Sequence, residues 1–416
     1  MALKIIFNNM KIGFIVPDDY AEMGGGFSYK QTFLNYLIIN NLKIGSHEFI
    51  PVFIYKKTIE TALYKFEKKL DLINSFGRFF HRTRNLLLQN NFDFYFPTFI
   101  KLLEKLYTKF YYKDLSNIDL FYYFNGQDIL TYKIPYFYNI WDLGHLFINS
   151  FPEISSNIER RFNAEIDAKR ASYILTESNT GRNDVSFSYN INLNKIGVLP
   201  MYGNIYKNNL DVPDIENMLN KNNYLKNNYL FYPAQFWPHK NHYNLLLALH
   251  KLNNEGNDYK IVFTGSDKGN LSYIKNLVIE LGLQKNVLFL GFITDDDIQY
   301  LYRNAFALIM PTYLGPTNMP IIEAMQNNCL VLCSNLDGHI EQTNGHAYYF
   351  KPQNYIDIAS KIKLAFTDSN IIKDEMVNNA FQYAKNINIE NTCNKLNDYL
   401  DVFQSIRYCW PNTNRN

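Results

Sequence analysis

Along nearly the whole chain, apolar runs of strand length alternate with segments of helical period. This alternation limits the fold more than any other feature, because strands that pair in parallel need a crossover, most simply a helix, between them. Residues 11–16, 49–54, 119–124, 136–141, 173–176 and 195–199 read as one set of strands. Helical periods at 27–40, 100–112, 158–170 and 180–188 separate them. An Asn-rich stretch from 202 to 228 with Pro213 inside it follows neither period and reads as a connection. Alternation then resumes, with strands at 229–233, 260–264, 287–290, 307–310 and 330–333 and a helical tail over 356–406. A chain of 416 residues exceeds what one core usually organises. The expectation is α/β, with two doubly wound Rossmann-like domains at 1–205 and 229–390. A linker at 206–228 joins them, and a closing helix and tail occupy 391–416.

Composition removes several function classes. A net charge of +2 gives no sign of a nucleic-acid partner. No run of about 20 apolar residues marks a membrane span, and the first ten residues do not resemble a signal peptide. A cytoplasmic location is the expectation. The four cysteines lack zinc-ligand spacing and read as reduced, structural thiols. One region stands apart. Residues 55–113 hold twelve Lys or Arg against five Asp or Glu, interleaved with aromatics. Such a surface suits an anionic membrane or an acidic acceptor, which would make the protein peripheral on the inner face of the plasma membrane. A solvated face over a core of aromatics is the plain alternative.

Open parallel sheets bind ligands beyond the C-terminal ends of their strands, so the chemistry is sought there. Gly24, Gly25 and Gly26 follow the first strand and open a helix, where backbone can approach a ligand closely. They are not the spaced dinucleotide fingerprint. Asp142 and His145, three residues apart after a strand, can face one cleft and hold sugar hydroxyls. Equally, Asp142 can cap the turn while His145 packs in the core. Lys240 falls at a helix start, where a lysine is electrostatically misplaced unless an anion is near. Gly265 and Ser266 make a small-residue turn after a strand. Gly315, Pro316, Thr317 and Asn318 precede another helix, whose free amides form a cradle for a diphosphate, with Thr317 or Asn318 as its cap. Glu323, one turn further, can accept hydrogen bonds from ribose hydroxyls. His239 and His242 lack a third ligand, and Asp295 and Asp297 are better explained as helix-start residues than as a metal pair.

Taken together, these segments resemble the group 1, family-four retaining glycosyltransferases of GT-B fold. The pieces are residues 232–242, 263–266, 286–294 and 315–323, in the family's order. Residues 141–145, 151–153 and 171–178 match a subset of the group. The resemblance implies two Rossmann-like domains facing across a cleft, with the C-terminal helix packing back toward the first. It implies no required cofactor or metal, a UDP-, GDP- or dTDP-sugar as donor, and a glycan or lipid-linked oligosaccharide as acceptor in surface polysaccharide synthesis. Lys240 and Gln235 would meet the donor diphosphate, Glu323 the ribose, and Phe292 and Ile293 the base. Gly24 to Gly26 would approach the sugar or phosphate, and Asp142 and His145 the transferred sugar and acceptor.

Three departures stand out. Gly315 occupies the place of a frequent family glutamate. Ala234 or Gln235 stands where a phosphate-binding arginine is usual, and Trp141 replaces a histidine before Asp142. The missing arginine and histidine support one competing reading, a non-catalytic scaffold; a nucleotide-sugar epimerase on the same fold is another.

Overall fold

The computed structural model describes residues 9–15, 25–52, 117–124, 134–155, 158–203, 214–407 and 409. The basic, aromatic region at 55–113, its expected helix at 100–112, and Gly24 lie outside these described residues. No described helix is long and apolar enough to cross a membrane.

The first body is a seven-stranded sheet built from β1 (Lys11–Ile15), β2 (Lys43–Ile44), β3 (His47–Val52), β4 (Leu120–Tyr123), β5 (Tyr136–Asn139), β6 (Tyr173–Thr176) and β7 (Ile196–Val198). Their order is β2-β3-β1-β4-β5-β6-β7. Every pair is parallel except β2 against β3. The two-residue β2 is too short to register as a period in the sequence. Helices α1 (Gly25–Ile39), α2 (Gly144–Phe147), α3 (Pro152–Ser155), α4 (Ile158–Arg170) and α5 (Asn179–Tyr189) belong to this body.

The second body is a six-stranded, wholly parallel sheet. Its strands are β8 (Tyr229–Pro233), β9 (Lys260–Thr264), β10 (Val287–Phe289), β11 (Ala307–Met310), β12 (Leu330–Ser334) and β13 (Tyr348–Phe350). The order β10-β9-β8-β11-β12-β13 reverses between β8 and β11, the topological switch point where such sheets bind ligands. β8 is buried along Tyr229 to Tyr232, as a central strand covered on both faces must be. The helices are α6 (Asp214–Lys221), α7 (His242–Asn254), α8 (Leu271–Glu280), α9 (Asp295–Asn304), α10 (Met319–Gln326), α11 (Asp337–Thr343), α12 (Tyr355–Thr367), α13 (Asn370–Ala384) and α14 (Ile389–Arg407). The short edge strand β13 was not among the expected strands.

Two boundaries differ from the sequence reading or sharpen it. Ile215 and Leu219 of α6, one turn apart, are buried with Tyr224 in the core of the second body. The stretch 214–228, expected as linker, therefore packs as part of that body; its Asn-rich composition masks an amphipathic turn. At the other end, Ile389, Cys393, Leu396 and Leu400 of α14 form one apolar stripe. They bury against Met10, Leu37 and Leu199 of the first body. His47 Nε2 lies 3.0 Å from Asp401 Oδ1, and Thr392 donates to the Pro200 carbonyl at 3.2 Å. The last helix thus returns to the N-terminal body, as expected.

Candidate active site

A cleft of about 640 Å3 lies between the bodies, lined by α1 on one side and by the loops after β8, β9, β10 and β11 on the other. The loop after β8 ends in a single 3-10 turn, Pro238–Lys240, with proline at its tolerated first position. Asn241 follows in the left-handed region (φ 62°), and its side-chain Nδ2 donates to the carbonyls of Pro311 and Pro352 at 2.8 and 2.7 Å. Tyr232 donates to the Lys240 carbonyl, and the Tyr313 amide to the His239 carbonyl. These bonds tie the turn to the end of β11 and fix where Lys240 points.

Lys240 Nζ donates to Asn318 Oδ1 at 3.3 Å, and no carboxylate forms an ion pair with it among the described residues. Burial pushes its ammonium down to about 8, while the charge of Asp142 acts the other way. Asn318 was expected as a helix cap. It stands at that position, but its side chain makes no capping bond. Instead His339 donates from Nδ1 to the Ser334 carbonyl, which leaves Nε2 to accept from Asn318 Nδ2 at 2.8 Å. Burial keeps His339 neutral, with its pKa lowered to about 4. That chain turns Asn318 Oδ1 toward Lys240. Gln342 holds the same residue by its backbone, accepting from its amide and donating to its carbonyl.

Gly315 has φ 123°, and a Cβ there would lie 2.6 Å from Asn318 Nδ2 and 2.9 Å from the Thr317 carbonyl oxygen. This loop therefore cannot take a glutamate at that position without being rebuilt. Gly265 is similarly constrained, since a Cβ would come within 2.4 Å of the Ala234 carbonyl oxygen. Beside it, Gln235 donates to Ser266 Oγ at 3.1 Å and Trp237 donates to Gln235 Oε1 at 3.0 Å.

Of the sequence candidates, Gly26, Gln235, Lys240, Gly265, Ser266, Phe292, Ile293, Thr317, Asn318 and Glu323 line the cleft together. Glu323 is 5% exposed, and Tyr302 donates to its Oε2 at 3.0 Å. Gly25 opens α1. Gly315 and Pro316 shape the loop without lining the cavity, and Pro316 packs so closely on Gly338 that a Cβ there would sit 1.9 Å from its carbonyl oxygen. Asp142 caps its own turn, Oδ1 accepting from the Gly144 amide at 2.8 Å. Its charge nevertheless reaches His239 and Lys240. His145 departs from the expectation that it faces the sugar. It is 1% exposed and lies 3.1 Å from the Tyr189 hydroxyl, outside the cavity lining. The Tyr189 hydroxyl holds the ring on that inward side.

Sequence reasoning missed several lining residues: Trp141, Met201, Trp237, His239 and the α1 residues Ser28, Gln31 and Asn35. It also missed Glu177 at the end of β6, which accepts from the Thr317 hydroxyl across the domain boundary. A carboxylate after a strand was the available signal. Among the described residues no three His, Cys, Asp or Glu side chains gather in a metal-holding group. Asp297 instead completes a capping box with Thr294 at the start of α9.

Comparison with known proteins agrees with this architecture. Residues 214–386 match the family described as glycosyl transferases group 1. The O-antigen chain mannosyltransferase RfbU of Salmonella typhimurium is 26% identical over 207 residues, 49% of this chain and 53% of the relative. The match thus spans about half the length of that curated relative. A glycosyltransferase of Rickettsia africae superposes with a TM-score of 0.64 at 19% identity, covering 96% of this chain and 99% of that one. Anabaena HepE in complex with UDP-glucose superposes with a TM-score of 0.66 at 17% identity, covering 95% and 100%. Residues 214–386 are thus similar to the group 1 glycosyltransferases, and the two facing bodies have the GT-B fold.

Proposed function

We propose that this protein transfers a hexosyl residue from a nucleoside-diphosphate sugar to a glycan or lipid-linked acceptor during synthesis of a surface polysaccharide. The observation carrying this reading is Lys240, a cation held in the cleft wall with no carboxylate bonded to it among the described residues. An anionic ligand is what such a group lacks. Glu323, far from Lys240 in sequence but on the same cavity, supplies an acceptor for sugar hydroxyls. The mannosyltransferase among the relatives makes mannose the first sugar to test.

In the proposed mechanism the nucleoside diphosphate departs as positive charge develops on the sugar. Lys240 stabilises the leaving group, and losing one such preorganised donor typically costs about 2.7–4 kcal/mol of barrier. The acceptor attacks on the face the leaving group vacates, so configuration is retained and no metal takes part. Closure of the two bodies excludes water. Contact of the basic, aromatic residues 55–113 with an anionic membrane on the cytoplasmic side belongs to the same proposal.

Thermal unfolding with UDP, GDP or dTDP, with and without EDTA, tests it. A ligand at a hundredfold excess over its dissociation constant adds about 2.7 kcal/mol, a rise of very roughly 5–10 °C for domains of this size. The expected outcome is one stabilising nucleotide, no effect of EDTA, and no shift in Glu323→Ala. If no nucleotide moves the transition, the transferase reading fails and a non-catalytic scaffold replaces it.

A further inference from the structure

Resting on the donor reading, we propose that His239 is a second cationic ligand of the donor diphosphate, held in place by Glu153 of the facing domain and protonated as the donor binds. The charge balance of the cleft calls for such a group. The diphosphate of a sugar nucleotide carries two negative charges, yet Lys240 is the single Lys or Arg among the described residues lining the cavity. His239 is the one other basic side chain there.

Its ring is aimed. Nδ1 lies 2.8 Å from Glu153 Oε1, and the His239 backbone amide donates to the same oxygen at 3.1 Å. Both side chains are nearly buried, at 12% and 10% exposure. A carboxylate that accepts from Nδ1 leaves Nε2 as the titrating atom. Nε2 makes no hydrogen bond among the described residues. The Trp237 ring, 6.4 Å away and inclined by 22°, and Phe151 at 6.3 Å restrict how the imidazole can turn.

Without a neighbouring anion the imidazole is neutral. Burial first, and the neighbouring Lys240 second, lower its pKa to about 4, while Glu153 and Asp142 favour the cation. A dianion seated against Lys240 reverses the balance, because it screens that charge and adds two of opposite sign. Tyr313 and Thr312 meet only the His239 backbone carbonyl. His242 stays outside this titration. It is buried against Phe236 and Tyr232 and does not line the cavity.

Isothermal titration calorimetry of the full chain separates this role from a merely structural pin. The probes are UDP-glucose, GDP-mannose and dTDP-glucose, whose esterified diphosphates do not titrate between about pH 5.5 and 8. Measurements at pH 6.5 in buffers of different ionisation enthalpy count protons. Wild type is expected to take up a proton on binding, with affinity falling by up to tenfold per pH unit as pH rises. His239→Asn can keep the bond to Glu153 but lacks the titrating atom. It is expected to lose proton uptake and to bind roughly 10- to 100-fold more weakly. His239→Gln places an amide near Nε2 and is expected to keep part of the affinity with no pH dependence. Wild-type binding without proton uptake, or His239→Asn binding as wild type does, overturns the proposal alone. Failure of all three sugar nucleotides to bind wild type overturns the donor reading as well.

Discussion

Glu177 and Lys240 sit on opposite walls of the domain contact, and burial opposes the usual charge of each. For Glu177, desolvation raises the carboxyl pKa to about 8, the Thr317 hydroxyl pulls it down, and the Asp142 charge pushes it up again. The folded protein then holds a proton that the unfolded chain releases above about 4.5. Stability is therefore expected to fall as pH rises from about 4.5 toward 8. Glu177→Gln should remove that slope and exceed wild type by roughly 2–4 kcal/mol at pH 8.5, read as urea unfolding at a series of pH values. Equal slopes in the two proteins would show that Glu177 is ionised at neutral pH. Lys240 and Glu323 were legible in the sequence because each stands near a helix start after a strand, where residue type alone suggests an anion or a ribose. His145 was not, since an exposed turn and a buried one look the same without the ring of neighbours that includes Tyr189.

Among the elements, α9 shows how local chemistry sets a boundary. Thr294 Oγ1 accepts from the Asp297 amide at 3.2 Å while the Asp297 carboxylate accepts from the Thr294 amide and hydroxyl. Three consecutive aspartates in the first turn also suit the positive end of the helix dipole. Thr294→Ala is expected to cost about 1 kcal/mol in thermal or urea unfolding, with no change in response to EDTA. A sensitivity to chelator that vanishes with the substitution would restore the metal reading of Asp295 and Asp297. The core strands and the capped helices follow sequence period and cap chemistry closely. The misses, β2, β13 and α6, are short, so propensity over a few residues competes poorly with composition. Pairing with β3 and β12 defines the two strands; burial of Ile215 and Leu219 defines the helix.

At the scale of the whole molecule, Glu341 of α11 joins the second body to the first at the cleft rim. Its carboxylate accepts from the amides and side chains of both Asn179 and Thr180 at the start of α5, at 2.6–2.9 Å. Although burial raises its pKa, these bonds win and hold it below 4.5. The stabilisation is thus present above about pH 4.5 and lost as pH falls through the depressed value. Glu341→Gln is expected to lower stability at neutral pH by roughly 1–3 kcal/mol, with the gap closing in acid. A constant gap from pH 7 to 3.5 would assign the contact to packing instead of charge.

The sequence by itself determined the class of the chain. Alternating periods dictate parallel sheets, two runs of them dictate two bodies, and glycines and free helix starts mark strand ends whose backbone suits an anion. What it did not determine is which side chains from the two bodies meet. Whether Asn318 caps a helix or orients Lys240 depends on His339, 21 residues away. Whether His239 points anywhere useful depends on Glu153, 86 residues away in the other body. Residue types and local spacing act within a few residues along the chain, whereas these pairings act through space. Folding of the second body brings Asn318 to His339, and the meeting of the two bodies brings Glu153 to His239.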